Sequence, residues 1–385
     1  MKAYLNEALY SSRRSAIREF TALAGTVPGC IKLTLGEPDF DTPEPVREAA
    51  KAALDNHETH YIPNQGIPAL RRAIADFENR SYGMDFQPEE ILVTVGATEA
   101  LFIAFFGILN PGDEVIIPAP AFVLYEEIVK LCRAVPVLLD TSKDGFQLSR
   151  ETLEQAMTPR TKAILLNSPN NPTGCVYTRE SLDNVHDLVK DKPVFVLCDD
   201  VYRQLVYTED YHSFMEYRDL RKQLLLIQSF SKPYAMTGWR MGYLAADREV
   251  MERLELIHQF SVVSTPAPFQ KACMEALSWD PSEMRETYRK RRDYVCGRLK
   301  AMGLSYVKPQ GAFYVFPSVK DLGLDSAELA RRLIREAKVA VTPGFCFGAE
   351  GFIRISCGAS MEDLEEGLSR MERWIRNRKE TINHD

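Results

Sequence analysis

The chain has no apolar run long enough to span a membrane, and its opening stretch, MKAYLNEALYSSRRSAIREF, has no apolar signal core. There is no excess of basic residues: the formal net charge is -7, which leaves no electrostatic footprint for DNA or an anionic membrane. No Cys-x-x-Cys occurs among the eight cysteines, which are scattered singly. A zinc ribbon is therefore excluded, and a reduced, cytoplasmic protein is expected. HETH at His57 to His60 has i, i+3 spacing without a third ligand; it is read as the end of a helix, and no metal site is expected. Internal repeats, low-complexity tracts and long linkers are missing too. No G-x-G-x-x-G opens a helix, so nothing supports a dinucleotide fold.

What remains is an ordinary globular composition over 385 residues, enough for one large domain and a smaller companion. From about residue 45 to 285 short apolar runs alternate with amphipathic stretches. ILVTV, EVIIP, AVPVLLD, KAILLN, VFVLCDD, LLLIQS and GYLAA read as seven strands buried on both faces, as parallel sheets require. Segments such as RESLDNVHDLVK between them predict βαβ units and an α/β fold. The charge-laced SEMRETYRKRRDYVCGRLKAMG predicts a long helix, and AFYVFP, SAELARRLIREA, VAVTPG and FIRIS follow it. A terminal helix, MEDLEEGLSRMERWIRNRK, ends the series. The expected division is a large domain over 46–285, and a small α+β domain over 286–385 that the segment 1–45 joins.

Polar groups stand at strand ends, where open parallel sheets bind ligands. Asp199 closes VFVLCD, Asn171 follows KAILLN in NSPNNPTG, and Lys232 follows LLLIQS, so a carboxylate, an amide and an amine aim at one crevice. A pyridine-based aldehyde cofactor needs such a set: an amine to join it, and a carboxylate to keep the ring nitrogen protonated. An amide and a phenol (Tyr202, in DDVY) can hold the ring oxygen. Arg240 and Ser229 suit a phosphate tail, and in VGATEAL the N–H groups of Ala97 and Thr98 open a helix that can receive an anion.

SFSKPYAMTGWRMGY, NSPNNPTG, DDVY, LTLGEPDF, HYIPNQGIPALRRAI, KPQGAFYVFP and FIRIS, in that family's order, resemble the class I/II aminotransferases of fold type I. These enzymes use pyridoxal 5'-phosphate, and the resemblance runs from about Ile17 to the C-terminus. It implies a mostly parallel seven-stranded sheet in the large domain and a ping-pong transamination with 2-oxoglutarate as the acceptor. Lys232 is implied as the Schiff-base lysine and proton shuttle, and Asp199 as the partner of the pyridinium. The pattern D-x-x-Y falls on Asp199 and Tyr202, although Asp200 is a rival. Asn171 and Tyr202 are implied at the ring oxygen, and Ala97, Thr98, Ser229, Ser231 and Arg240 at the phosphate.

By the same resemblance Phe122 stacks on the ring, and Tyr61 reaches the neighbouring subunit's phosphate in a homodimer with shared sites. Arg354 clamps the substrate α-carboxylate with Asn171 and the backbone of Gly36, Ile17 plugs the pocket, and a cis Asn171–Pro172 bond is expected. Dicarboxylate-specific members carry a lysine where this chain has Thr98. Aromatic or broad specificity is therefore expected, and several segments also look similar to enzymes acting on N-acetyl-diaminopimelate. Alternative fates of the same fold are C–S β-lysis, decarboxylation or a regulator that has lost catalysis.

Overall fold

Seven strands build the central sheet of the computed structural model, which describes residues 4–12 and 14–384. After a short β1 (Ile31–Lys32) they are β2 (Ile91–Thr94), β3 (Glu114–Ala119), β4 (Val135–Asp140), β5 (Thr161–Asn167), β6 (Phe195–Asp199), β7 (Leu224–Ser229) and β8 (Gly242–Ala246). Their spatial order is β2-β8-β7-β6-β5-β3-β4. The run β7-β6-β5-β3-β4 is parallel. β8, expected to continue the parallel series, instead pairs antiparallel with both β2 and β7. A parallel return needs a crossover, usually a helix. Between β7 and β8 the chain makes only a turn over 231–234 and the short 3₁₀ helix Thr237–Trp239, with no crossover helix, so it doubles back. GYLAA is buried on both faces like its neighbours, which is why its composition conceals its direction. Within this sheet only the edge strand β4 shows exposed positions.

Helices cover both faces and seal two apolar layers. One layer packs Leu70, Ile74, Ile116, Ile164, Val196 and Leu226. The other packs Ile103, Phe105, Ile117, Leu165, Leu197 and Leu244. The two sets alternate along β3, β5 and β6, as the two-residue period of a strand demands. The helix Glu44–Asp55 ends at Asn56, and His57 follows in the left-handed region (φ 60°), so HETH does mark a helix end.

A further core surrounds the long helix Ser282–Ala301 and the terminal helix Met361–His384. It contains a three-stranded sheet of β9 (Tyr314–Val315), β11 (Thr342–Pro343) and β12 (Ile353–Ser356). β10 (Val339–Ala340) pairs in parallel with β1, drawing the N-terminal segment in. Phe20 and Ala24 of the helix Ala16–Gly25 are buried in this core with Leu33. Burying a phenylalanine contributes roughly 2–3 kcal/mol, enough to anchor the helix beside the mouth of the cleft described next. SAELARRLIREA is helical, but its second half, Leu333–Ala337, widens into a π turn before Lys338 in the left-handed region.

Candidate active site

The C-terminal ends of β5, β6 and β7 deliver Asn171, Asp199, Ser229 and Lys232 to one cavity of about 280 Å³. Ile17, Gly36, Ala97, Thr98, Phe122, Tyr202, Ser231, Arg240 and Arg354 also line it. Tyr61 does not. It is exposed and borders a separate depression with Thr59, His60 and the segment Ser264–Pro268. Asp199 faces the cavity, whereas Asp200 points away and accepts a hydrogen bond from Ser213 Oγ (2.7 Å). Of the two adjacent carboxylates, only Asp199, the last residue of β6 and the one the D-x-x-Y pattern favours, lines the cavity.

Burial dominates the electrostatics of the acidic and basic groups. It lowers Lys232 from 10.5 to about 8, with Arg354 and Arg240 also repelling its charge while Glu37 and Asp199 favour it. Its Nζ donates to the Gly36 carbonyl. Burial likewise raises Asp199 to about 6, and the hydrogen bond donated by Tyr125 Oη (2.7 Å) pulls it back down. Asn167 Nδ2 donates to the Asp199 carbonyl (2.8 Å), and Asn167 Oδ1 accepts from the Asn171 N–H (2.9 Å). One side chain thereby ties two sheet edges together and fixes the Asn171 loop, whose Asn171–Pro172 bond is cis.

At one end the cavity meets the start of the helix Gly96–Ile108, where the first N–H groups have no intrahelical acceptors. Arg240 stands over this helix start from the left-handed region (φ 55°), a conformation that costs about 1–3 kcal/mol for a non-glycine residue. Ser229 Oγ accepts from the Ser231 N–H (3.0 Å), which holds the two serines together on the same wall. Donors from a helix start, two hydroxyls and a guanidinium form a cradle that can hold a phosphate. The approach is close because Gly242 lacks a side chain. A Cβ there would lie 2.7 Å from the Gln228 carbonyl oxygen and 2.9 Å from the Ala97 nitrogen, both backbone atoms. Gly242→Ala is accordingly expected to destabilise the protein by roughly 1–3 kcal/mol, the usual cost of overpacking. A thermal melt checks it, and an unchanged Tm would show that the backbones can separate freely.

Arg354, on β12, is buried opposite Lys232 in the same cavity. Its guanidinium donates to Asn171 Oδ1 and to the Thr34 carbonyl, both at 2.8 Å, while its Nε has no partner. The rings of Tyr314 and Phe347 flank it at 4.5 and 4.9 Å. Among the described residues no carboxylate pairs with it. A buried guanidinium held by neutral groups is a receptor for a carboxylate supplied from outside.

Six lining side chains, besides Tyr125, were not picked out by motif: Thr34, Leu101, Leu124, Val201, Thr237 and Tyr314. Tyr314 Oη lies 2.9 Å from Tyr202 Oη. Tyr125, which also lines the cavity and was given no role from the sequence, is bonded to Asp199. Each joins segments far apart in the chain; the available signal was a polar aromatic within AFYVFP and PAPAFVLY, and it named no partner.

A family model described as aminotransferase class I and II matches residues 28–371. The chain is 41% identical to a Bacillus subtilis protein named a probable N-acetyl-LL-diaminopimelate aminotransferase, over 99% of this chain and 98% of the relative. It is 40% identical to an aromatic-amino-acid aminotransferase of Thermococcus litoralis, covering 97% of this chain and 99% of that one. Among solved structures, the aspartate aminotransferase of Thermotoga maritima superimposes with a TM-score of 0.92 at 38% identity, covering 97% of this chain and 100% of the other.

Proposed function

The chain belongs to the class I and II aminotransferases, and from that membership we propose that it is a pyridoxal 5'-phosphate enzyme whose working groups are those of the cavity above. The observation that carries the reading is the pairing, in one cavity, of a lysine lowered to about 8 with a buried arginine that lacks a carboxylate. The donor set fits the cofactor at both ends, since the cradle suits its phosphate and a buried carboxylate suits its ring nitrogen. When bound, the cofactor supplies a protonated ring that accepts the electron pair left when an amino acid loses its α-proton.

The chain's own residues do the rest. Ala97, Thr98, Ser229, Ser231 and Arg240 hold the phosphate, while Asp199 holds a proton on the ring nitrogen and Asn171 and Tyr202 bond the ring oxygen. Phe122 stacks on the ring. Arg354 orients the substrate through its α-carboxylate, with Asn171 and Gly36 at its side, so that the α-proton faces Lys232 Nζ, which removes it. Ile17 covers the mouth and keeps water out. Transfer of the amino group then proceeds in two half-reactions with a 2-oxo acid, 2-oxoglutarate being the acceptor we assign. The relatives are named as aminotransferases, which favours neither β-lysis, nor decarboxylation, nor a regulator without activity.

Tyr125 positions the Asp199 carboxylate. In Tyr125→Phe, Asp199 keeps only the long bond from the Val201 N–H (3.5 Å), and its pKa rises further. Loss of a hydrogen bond to a charged group predicts about a 10–100-fold drop in kcat. Weaker cofactor retention should accompany it. Wild-type retention measured by dialysis would show that Asp199 does not depend on Tyr125.

Two further assignments rest on the surface and the cores. We infer a homodimer in which Tyr61 completes the partner's phosphate site. Supporting it, Tyr61, Phe106, Phe260 and Val263 are exposed, and Asn64 Nδ2 donates to the Val263 carbonyl, linking the two loops. The separate cores support a division into a large unit over 46–285 and a small unit of 1–45 with 286–385. No helix among the described residues is long and apolar enough to cross a membrane. The cytoplasmic placement we assign fits eight free cysteines.

For the amino donor we propose a large side chain, aromatic or long and aliphatic, over aspartate. Ile17, Leu101, Phe122 and Leu124 make the walls apolar, and Thr98 stands where dicarboxylate-specific members carry lysine. Measuring kcat/KM for phenylalanine, norleucine, aspartate and N-acetyl-diaminopimelate with 2-oxoglutarate tests this. Exclusive turnover of aspartate would overturn it.

A further inference from the structure

Glu99 stands in the first turn of the helix Gly96–Ile108, next to the Ala97 and Thr98 N–H groups assigned to the phosphate. A carboxylate in a helix's first turn is drawn to those same free donors, so it competes with any anion bound there. Here it is turned away. Glu99 Oε2 accepts from the Val95 N–H (2.5 Å), ahead of the helix, and Oε1 accepts from His258 Nδ1 (3.0 Å). Ala97 and Thr98 are left to the cavity they line. The second anchor comes from far along the chain, since His258 lies in the last turn of the helix Arg248–Ser261. Its imidazole is fully buried, and Nε2 has no partner among the described residues. An apolar side chain of that size would fill the space without burying an unpaired polar atom. What the histidine adds is therefore its bond to Glu99.

We propose that His258 is a positioning residue for cofactor binding: it holds the Glu99 carboxylate on the Val95 side of the helix start and off the donors that receive the phosphate. His258 is not among the residues lining the cavity and acts through Glu99 alone. The turn that Glu99 closes also seats the guanidinium of the cradle. Gly96 lies in the left-handed region (φ 71°), Thr94 Oγ1 donates to its carbonyl (3.0 Å), and a Cβ on it would lie 2.6 Å from Arg240 Nη2. Release of Glu99 would thus disturb the helix donors and Arg240 together. This inference rests on the reading of the cradle as a phosphate site and adds to it the group that keeps the cradle open.

The test measures equilibrium capture of pyridoxal 5'-phosphate and of pyridoxal by the full-length apoprotein, read from the visible absorbance of the attached aldehyde. The two compounds differ only in the phosphate. Wild type should favour the phosphorylated form by at least about 100-fold, since several charge-assisted bonds are at stake. In His258→Leu that preference should fall about tenfold, the value of one such bond, while pyridoxal is captured as before. His258→Asn, whose amide can donate from near the Nδ1 position, should keep the wild-type preference. In a Glu99→Ala background His258→Leu should change the preference no further, because the carboxylate that His258 restrains is gone. An unchanged preference in His258→Leu, equal losses for the two aldehydes, or the same loss in the Glu99→Ala background would overturn the assignment of His258. No preference for the phosphorylated form in wild type would instead overturn the cradle on which the inference rests.

Discussion

Lys232→Ala is expected to remove the visible absorbance of the covalently attached cofactor and to lower kcat by at least about four orders of magnitude. General acid–base catalysis alone supplies up to about 10⁴-fold, and in the proposed function the same amine also makes the attachment. Retention of the band, or of a mass increase after borohydride reduction, would assign the attachment to another lysine. The titration makes a second check. With a pKa lowered from 10.5 to about 8, Lys232 carries a neutral amine at accessible pH. Since the neutral form is the nucleophile, capture of pyridoxal phosphate by the apoprotein should accelerate about tenfold per pH unit up to about pH 8 and level off above it. The cause is desolvation, because burial penalises the ammonium and the nearby guanidinium groups of Arg354 and Arg240 repel it. Continued acceleration towards pH 10 would mean an amine exposed to water.

The second large effect is expected at Arg354. Arg354→Ala should reduce kcat/KM for every α-amino acid by about 10²- to 10³-fold, the cost of leaving a buried carboxylate without its partner. Arg354→Lys keeps a charge but loses the two-pronged geometry, so it should fall between alanine and wild type. Stability should move the other way. The free protein holds this guanidinium buried without a counter-charge, and burial lowers its pKa, so alanine should leave Tm unchanged or raise it. Simple amines, which have no carboxylate to present, serve as the control and should lose little. A large fall in Tm, with equal losses for amines and amino acids, would make Arg354 a structural residue.

Much of the site is legible from local sequence because the fold exposes it in a regular way. A parallel sheet presents its ligand-binding groups where strands end, and a strand announces itself by an apolar run. Asn171, Asp199 and Lys232 could therefore be placed from the runs KAILLN, VFVLCD and LLLIQS that precede them. The N–H groups at the start of the helix Gly96–Ile108 follow by the same logic. The resemblance of FIRIS and LTLGEPDF to a known family extended the reading to Arg354 and Gly36, which no strand end marks.

By itself the sequence determined the strands and helices, the α/β class, and groups that can hold a phosphate and a ring, which follow from periodicity and side-chain chemistry and are local. The group for a carboxylate, Arg354, came only from the resemblance to a known family. Only the tertiary structure decided that β8 runs antiparallel, that Asp199 and not Asp200 faces the cavity, and that Tyr125 bonds Asp199 while Tyr314 meets Tyr202. It also decided that Arg354 has a buried seat among Asn171, Thr34 and Tyr314 with no anion of its own. Such facts depend on distances between segments remote in the chain. Packing sets those distances, through the return of β8 past Gly242 and the docking of the N-terminal helix on the second core.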